Sequence, residues 1–352
     1  MTDILYKPRH LSEAGFFRYL FRALKKRGAA VEDQAPYRNG VETGRHHEGA
    51  WAKIEGSLCF FDMSDHVFDF DEIGLREADL YFKANLNRAI AERILSEKGM
   101  ASVKTKLEPF TFLPPSLPTA NRIGSLPVGR FVPGPTLFHV VGVYENPVRE
   151  GILDPFFDFG SRLEPHVMHF WIRRHFSEAI RGLGVSSLTR LTSRGNREIE
   201  DGDVVRANLN HQIFLLRMAS AGFTVLNTFP HAVYPWKMLE SLALGRPFIL
   251  EREPLIEIPD AFRPREGTHF LEILPGFGSF DIKASSTDPA FYRILDAPNP
   301  DEILRGFKRI SEKIIEPGLT QEMSRACRAF ARERLAPDFI VDWLKDKVRR
   351  GR

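Results

Sequence analysis

Short apolar runs alternate with longer amphipathic stretches along most of this chain, the pattern of a mixed α/β protein. Ile4-Leu5-Tyr6 predicts a first strand, and Lys7 to Gly15 a loop. From Phe16 to Lys26, Phe17, Leu20, Phe21 and Leu24 recur at helical spacing, and Arg27-Gly28 supplies a basic last turn and a glycine stop. Leu58 to Phe61 and Leu80 to Phe82 predict strands, and Asn87 to Glu97 a helix.

Between Pro109 and Pro135 the prolines 109, 114, 115, 118, 127, 133 and 135 break the pattern. Proline lacks an amide donor and restrains the residue before it, so no regular helix is expected to cross this stretch. Loops of that length are uncommon inside compact domains, which places a domain boundary here: one domain over 1–133 and a second over 134–352. The alternation then restarts. Leu137 to Tyr144 reads as a continuous apolar strand, Leu163 to Leu183 as a helix and Leu188 to Thr192 as a strand. Leu209 to Ala219 is helical, Phe223 to Leu226 a strand, Trp236 to Leu244 a helix, Phe248 to Leu250 a strand, and roughly the last sixty residues almost entirely helix. Buried strands separated by helices predict a parallel, doubly wound sheet.

Composition narrows the class of protein. At 352 residues, with 43% hydrophobic and 27% charged positions, the chain suits two soluble domains. The net charge of +3 is not concentrated in either half, so no nucleic-acid partner is expected. Cys59 and Cys327 lie far apart, which argues against a disulfide scaffold or a cysteine-based zinc cluster. There is no apolar run of about 18 residues and no secretory leader, so a cytoplasmic location is expected. The basic end, Lys345 to Arg352, allows weak contact with the inner face of an anionic membrane.

The richest stretch for chemistry runs from Phe223 to Leu250. A strand ends at Asn227, a loop leads to Pro235, and a helix starts at Trp236, where the missing proline donor costs little. Gly245 and Pro247 end that helix. The free amides of its first turn form a site for an anionic group such as a diphosphate, with Lys237 adding charge. Glu240 lies one turn on, where a carboxylate can accept from the two hydroxyls of a ribose. The other reading of Glu240 is a surface carboxylate paired with Lys237. Arg190, Arg194 and Arg197 surround a Ser-Arg-Gly turn after a strand, and an arginine there can clamp phosphate oxygens.

Pro235-x-Lys237-x-x-Glu240, followed by Ser-Leu-Ala-Leu-Gly-x-Pro-Phe-Ile, resembles the donor-site helix of bacterial GT-B glycosyltransferases. The opening strand Ile4–Tyr6 with Gly15, Phe17, Leu20 and Gly28 is similar to the first strand, glycine loop and helix of the same fold. The resemblance covers about half of the chain and leaves out Gln34 to Val103. It implies two Rossmann-like α/β domains facing a cleft, and transfer of a sugar from a nucleoside diphosphate to a glycan, lipid-linked glycan or protein acceptor, as in polysaccharide biosynthesis. Glu240 would hold the ribose, and Lys237 with Arg194 or Arg190 the diphosphate. Asn227, His231 and Tyr234 would line the donor site, and no cofactor or metal is expected. Retaining members carry a second glutamate eight residues earlier; here that position is Ala232, with His231 beside it, so the stereochemical outcome stays open. For an inverting reaction, His10 or Glu13 in the loop before Gly15 is the candidate base. The alternative is that Ser12 or Glu13 merely caps the first helix.

Other readings compete. Asp69-Phe70-Asp71 is an Asp-x-Asp of the kind that holds a divalent metal in GT-A enzymes. His166, His169 and His175 share a helix rich in Phe, Trp and Arg, which reads as packing rather than as a zinc set. A non-catalytic GT-B scaffold and a DNA-modifying glycosyltransferase are the rival functions.

Overall fold

A computed structural model describes residues 4–6, 11–28, 30–32, 49–63, 70–111, 113–126, 134–143, 165–193, 204–206, 210–228, 235–253, 256–275, 280–281, 293–294 and 298–351. The elements run β1 (Ile4–Tyr6), α1 (Leu11–Lys26), β2 (Ala30–Glu32), β3 (Gly49–Ile54), β4 (Ser57–Asp62), α2 (Glu72–Glu77), β5 (Leu80–Lys83), α3 (Arg88–Glu97), β6 (Leu107–Pro109) and α4 (Leu117–Gly124). Then come β7 (Leu137–Val143), α5 (Pro165–Arg181), β8 (Ser187–Ser193), β9 (Val204–Arg206), α6 (His211–Ser220), β10 (Phe223–Leu226), α7 (Trp236–Ala243), β11 (Phe248–Leu250) and β12 (Phe270–Glu272). Three helices close the chain: α8 (Pro300–Ile315), α9 (Pro317–Arg334) and α10 (Pro337–Arg350).

The chain divides into two compact units. Unit 1 comprises Met1–Pro118, Leu255–Arg263 and Phe330–Arg352, and unit 2 comprises Thr119–Pro254 and Pro264–Ala329. The division falls at Pro118, earlier than the position after Pro133 expected from the proline run. Among the described residues no helix crosses that run, though the short helix α4 lies inside it. Pro118 is its second residue, where a helix has no need of the amide that proline lacks.

Unit 1 is built on a six-stranded sheet in the order β2-β1-β3-β4-β5-β6. β1 pairs parallel with β2, and β4, β5 and β6 are mutually parallel. β3 runs antiparallel to both of its neighbours. The cause is local: Glu55 and Gly56 both have positive φ, 50° and 86°, the backbone of a two-residue hairpin turn. Helix α1 begins at Leu11, not at Phe16 as its apolar stripe predicted, so Glu13 and Gly15 sit within the helix and not in a loop. Tyr19 of α1 donates to the Leu335 carbonyl at 2.6 Å, and burial raises its hydroxyl to about 12. The basic C-terminal end is not a loose tail. Most of it is helix α10, and there Lys345 and Arg349 pair with Glu55, and Lys347 with Glu108.

Unit 2 has the order β12-β11-β10-β7-β8-β9, and its pairings are parallel throughout. Numbered within the unit, the order read from β9 is 3-2-1-4-5-6, that of the dinucleotide-binding Rossmann fold. Leu137, Phe223, Val225, Ile249 and Leu271 from the sheet pack with Ile172 and Phe176 of α5 and Phe307 and Ile310 of α8. Strands covered on both faces explain the unbroken apolar runs of the sequence. Asn299 caps α8 through a reciprocal bond pair with Glu302, each 2.9 Å. Gly245, at φ 67°, takes the left-handed turn that ends α7.

Candidate functional site at the strand-order switch of unit 2

In open α/β sheets of this order, ligands bind outside the carboxyl ends of the strands where the order reverses. In unit 2 that point lies between β7 and β10, which pair through Leu137–Phe223 and Phe138–Thr224. Several of the polar residues of the unit meet there. His139, fully buried on β7, lies 2.9 Å from Asn227 Oδ1 just past β10, and 3.2 Å from Ser177 Oγ on α5. Burial is the main force lowering its imidazole to about 3; the bond to Asn227 opposes it, and the charges of Lys237, Arg173 and Arg181 reinforce it. The ring is therefore neutral at physiological pH. A neutral imidazole carries one hydrogen, so it donates to one partner and accepts from the other. Asn227 Oδ1 can only accept, so Nε2 is the nitrogen that carries the hydrogen.

Lys237 enters from the first turn of α7. Its Nζ donates to the Val140 carbonyl of β7 at 2.8 Å and stands 5.3 Å over the Phe214 ring. The ammonium thus stands beside the amides of the helix start. Phe214 packs edge-on against Phe138 of β7 at 5.4 Å. Glu240, one turn along α7, is buried with 2% exposure, and its Oε1 lies 3.0 Å from His211 Nε2. The reading of Glu240 as a surface carboxylate is therefore set aside. His211 itself is half exposed and stacks on Phe214 at 5.7 Å, 18° from parallel.

The structure thus brings Asn227, Lys237 and Glu240 to one end of one sheet, together with His139 and His211. Arg190 is exposed on β8, opposite Val140 in the strand register, next to the residue whose carbonyl holds Lys237. Arg194, His231, Ala232 and Tyr234 lie outside the described residues, as do His10, Arg197 and Asp69. Glu13 is placed by its helix, but its side chain is not described. Asp71 of the Asp-x-Asp caps α2, accepting from the Gly74 amide at 2.6 Å. His175 packs against Trp171 and bonds Glu178, as an aromatic core helix predicts. Among the described residues no group of three or more His, Cys, Asp or Glu could hold a metal ion, and no helix is long and apolar enough to cross a membrane.

Sequence reasoning missed His139 and His211. A lone histidine inside the run Leu137-Phe-His-Val-Val was the available signal for the first, because a polar group in a strand buried on both faces needs partners. His211 gave none, as it lies at a helix start among ordinary polar residues.

No family model matches the chain, and no curated protein matches it in sequence. Among solved structures it is similar to HepE from Anabaena in complex with UDP-glucose, at 13% identity, a TM-score of 0.40, and coverage of 80% of this chain and 71% of that one. The fold class of this chain rests on its own strands: a mixed α/β protein with a Rossmann-ordered second unit.

Proposed function

We propose that this chain is a GT-B-type glycosyltransferase that takes its nucleoside-diphosphate-sugar donor at the strand-order switch of unit 2. One observation carries the reading. The strand order 3-2-1-4-5-6 puts Lys237, in the first turn of α7, at the junction where such sheets bind phosphorylated ligands. In this reading the α7 amides and Lys237 hold the diphosphate, with Arg190 or Arg194 adding charge, and Glu240 accepts from the ribose hydroxyls. Asn227, His231 and Tyr234 face the sugar. An acceptor hydroxyl, from a glycan, lipid-linked glycan or protein, attacks the anomeric carbon as the bond to the diphosphate breaks. The departing charge is met by fixed donors, a role that needs no metal. For inversion, His10 or Glu13 takes the hydroxyl proton.

The test is a thermal-shift panel of UDP, GDP, CDP, ADP and dTDP, with and without EDTA, on wild type and Glu240→Ala. Saturable stabilisation by one nucleotide, insensitive to chelator and lost in the variant, is expected. Failure of every nucleotide to stabilise the protein removes the basis of the reading. Ala232, in place of the sugar-contacting glutamate, favours a second reading as a nucleotide-binding scaffold without turnover. Binding of the donor without release of its sugar selects it.

A further inference from the structure

We infer that His211 is a positioning residue for the donor site, fixing the Glu240 carboxylate and thereby setting how strongly unit 2 prefers a nucleotide with a complete ribose. The inference rests on the proposed donor site. Glu240 is a carboxylate with 2% exposure, and a charge so placed is held by hydrogen bonds. One of them comes from the His211 imidazole, with Nε2 at 3.0 Å from Oε1.

The imidazole is itself oriented. His211 is the first residue of α6, whose cap Asn210 accepts from the Gln212 amide at 2.9 Å. Its ring lies flat on Phe214 at 5.7 Å, and the same Phe214 ring sits 5.3 Å beneath the Lys237 ammonium. One aromatic side chain therefore sets the places of both the histidine that holds Glu240 and the lysine at the start of α7. A carboxylate offers roughly four lone-pair sites, so accepting from His211 does not by itself preclude accepting from a diol. The bond from His211 helps to fix the plane in which the lone pairs of Glu240 point. Two hydroxyls on adjacent carbons can meet one carboxylate only in a narrow range of such planes, so loss of the imidazole should cost the diol selectively.

The experiment measures dissociation constants by calorimetry for UDP, GDP, CDP and ADP and for the 2′-deoxy counterpart of each, on wild type, His211→Ala, His211→Gln and Glu240→Ala. Wild type should prefer one ribonucleotide over its deoxy form by about tenfold, the scale of one hydrogen bond to a charged group. His211→Ala should weaken the ribonucleotide about tenfold and leave the deoxy form within about twofold. Glutamine, which can still donate to Glu240, should restore most of the preference. His211→Ala in the Glu240→Ala background should add nothing further. A His211→Ala protein that keeps the wild-type preference, or binds the ribonucleotide more tightly, overturns the inference while leaving the donor site standing. Wild type that binds none of the four ribonucleotides overturns both. Matching unfolding midpoints without ligand exclude misfolding of these variants as the cause of lost binding.

Discussion

The carboxyl ends of the two sheets both hold buried polar networks, built on opposite plans. In unit 1, Asp62 and Lys83 are the last residues of β4 and β5 and face each other in register. Lys83 Nζ lies 2.9 Å from Asp62 Oδ2, the Tyr81 hydroxyl donates to the same oxygen at 2.5 Å, and the Asp71 amide donates to the Tyr81 oxygen at 3.0 Å. Burial, then the Asp62 charge, keeps the Tyr81 hydroxyl well above its usual value, so it stays protonated as a donor. Opposite charges meet and close the network, with Phe70 lying 4.8 Å from the ammonium. In unit 2 the buried groups at that end are the neutral imidazole of His139 and the Glu240 carboxylate bonded to His211, and the ammonium of Lys237 donates to the Val140 carbonyl and stands over the Phe214 ring. A network that cancels its own charge holds strands together. In the proposed reading the second set, with Lys237 at a helix start, takes an anion from outside.

The largest test of this contrast breaks the closed pair. Lys83→Met leaves the Asp62 charge buried without its ammonium and should cost about 3–5 kcal/mol of stability. Asp62→Asn combined with Lys83→Met removes both charges yet keeps an acceptor for Tyr81, and should recover most of that loss. Urea denaturation of the three proteins measures both effects. A single variant that costs less than about 1 kcal/mol means the pair is not the closed structural element described here.

The second test uses proton linkage in unit 2. His139 stays neutral in the folded protein down to about pH 3, whereas an unfolded histidine protonates near 6.5. Between those values the unfolded state binds more protons, so stability rises with pH. The contribution is complete above about pH 6.5 and is lost progressively as pH falls towards 3. At about 1.4 kcal/mol per unit, wild type should lose roughly 2–3 kcal/mol more than His139→Gln between pH 7 and pH 4.5. Parallel curves for the two proteins would falsify the account of His139 as a buried neutral ring.

The same contrast explains what could be read from the sequence. Unit 2 was legible because parallel strands buried on both faces leave unbroken apolar runs, and because Pro235 and Gly245 bracket α7 with unambiguous chemistry. Unit 1 was less so. The antiparallel β3 depends on a two-residue turn at Glu55-Gly56, and a non-glycine residue at positive φ gives little warning in a sequence. Helix α1 was started late because Leu11 to Gly15 lacks the apolar stripe, although a glycine within a helix costs only about 1 kcal/mol. The site was half legible. Lys237 and Glu240 follow from spacing on one helix, but His211 reaches Glu240 from another helix, and only tertiary packing makes them partners. The Asp62–Lys83 pair shows the same limit: each ends an apolar strand, and nothing local says that the two strands are neighbours.

The smallest effects separate the two cations at the unit 2 site. Lys237→Met should weaken binding of the preferred nucleoside diphosphate about tenfold, as expected for loss of a charge-assisted bond. Because Lys237 is partly buried, that loss should persist at 0.5 M salt, where the screening length is only about 4 Å but acts mainly on solvent-exposed charges. Arg190 is exposed on β8, so Arg190→Ala should change stability by less than about 0.5 kcal/mol. In the proposed donor site its charge adds to the hold on the diphosphate. Binding should therefore weaken about threefold at 0.05 M salt, where exposed charges act over roughly 14 Å, and become indistinguishable from wild type at 0.5 M. If Arg190→Ala proved the more damaging of the two, and remained so at high salt, the phosphate would sit towards the β8 edge and Lys237 would serve some other purpose.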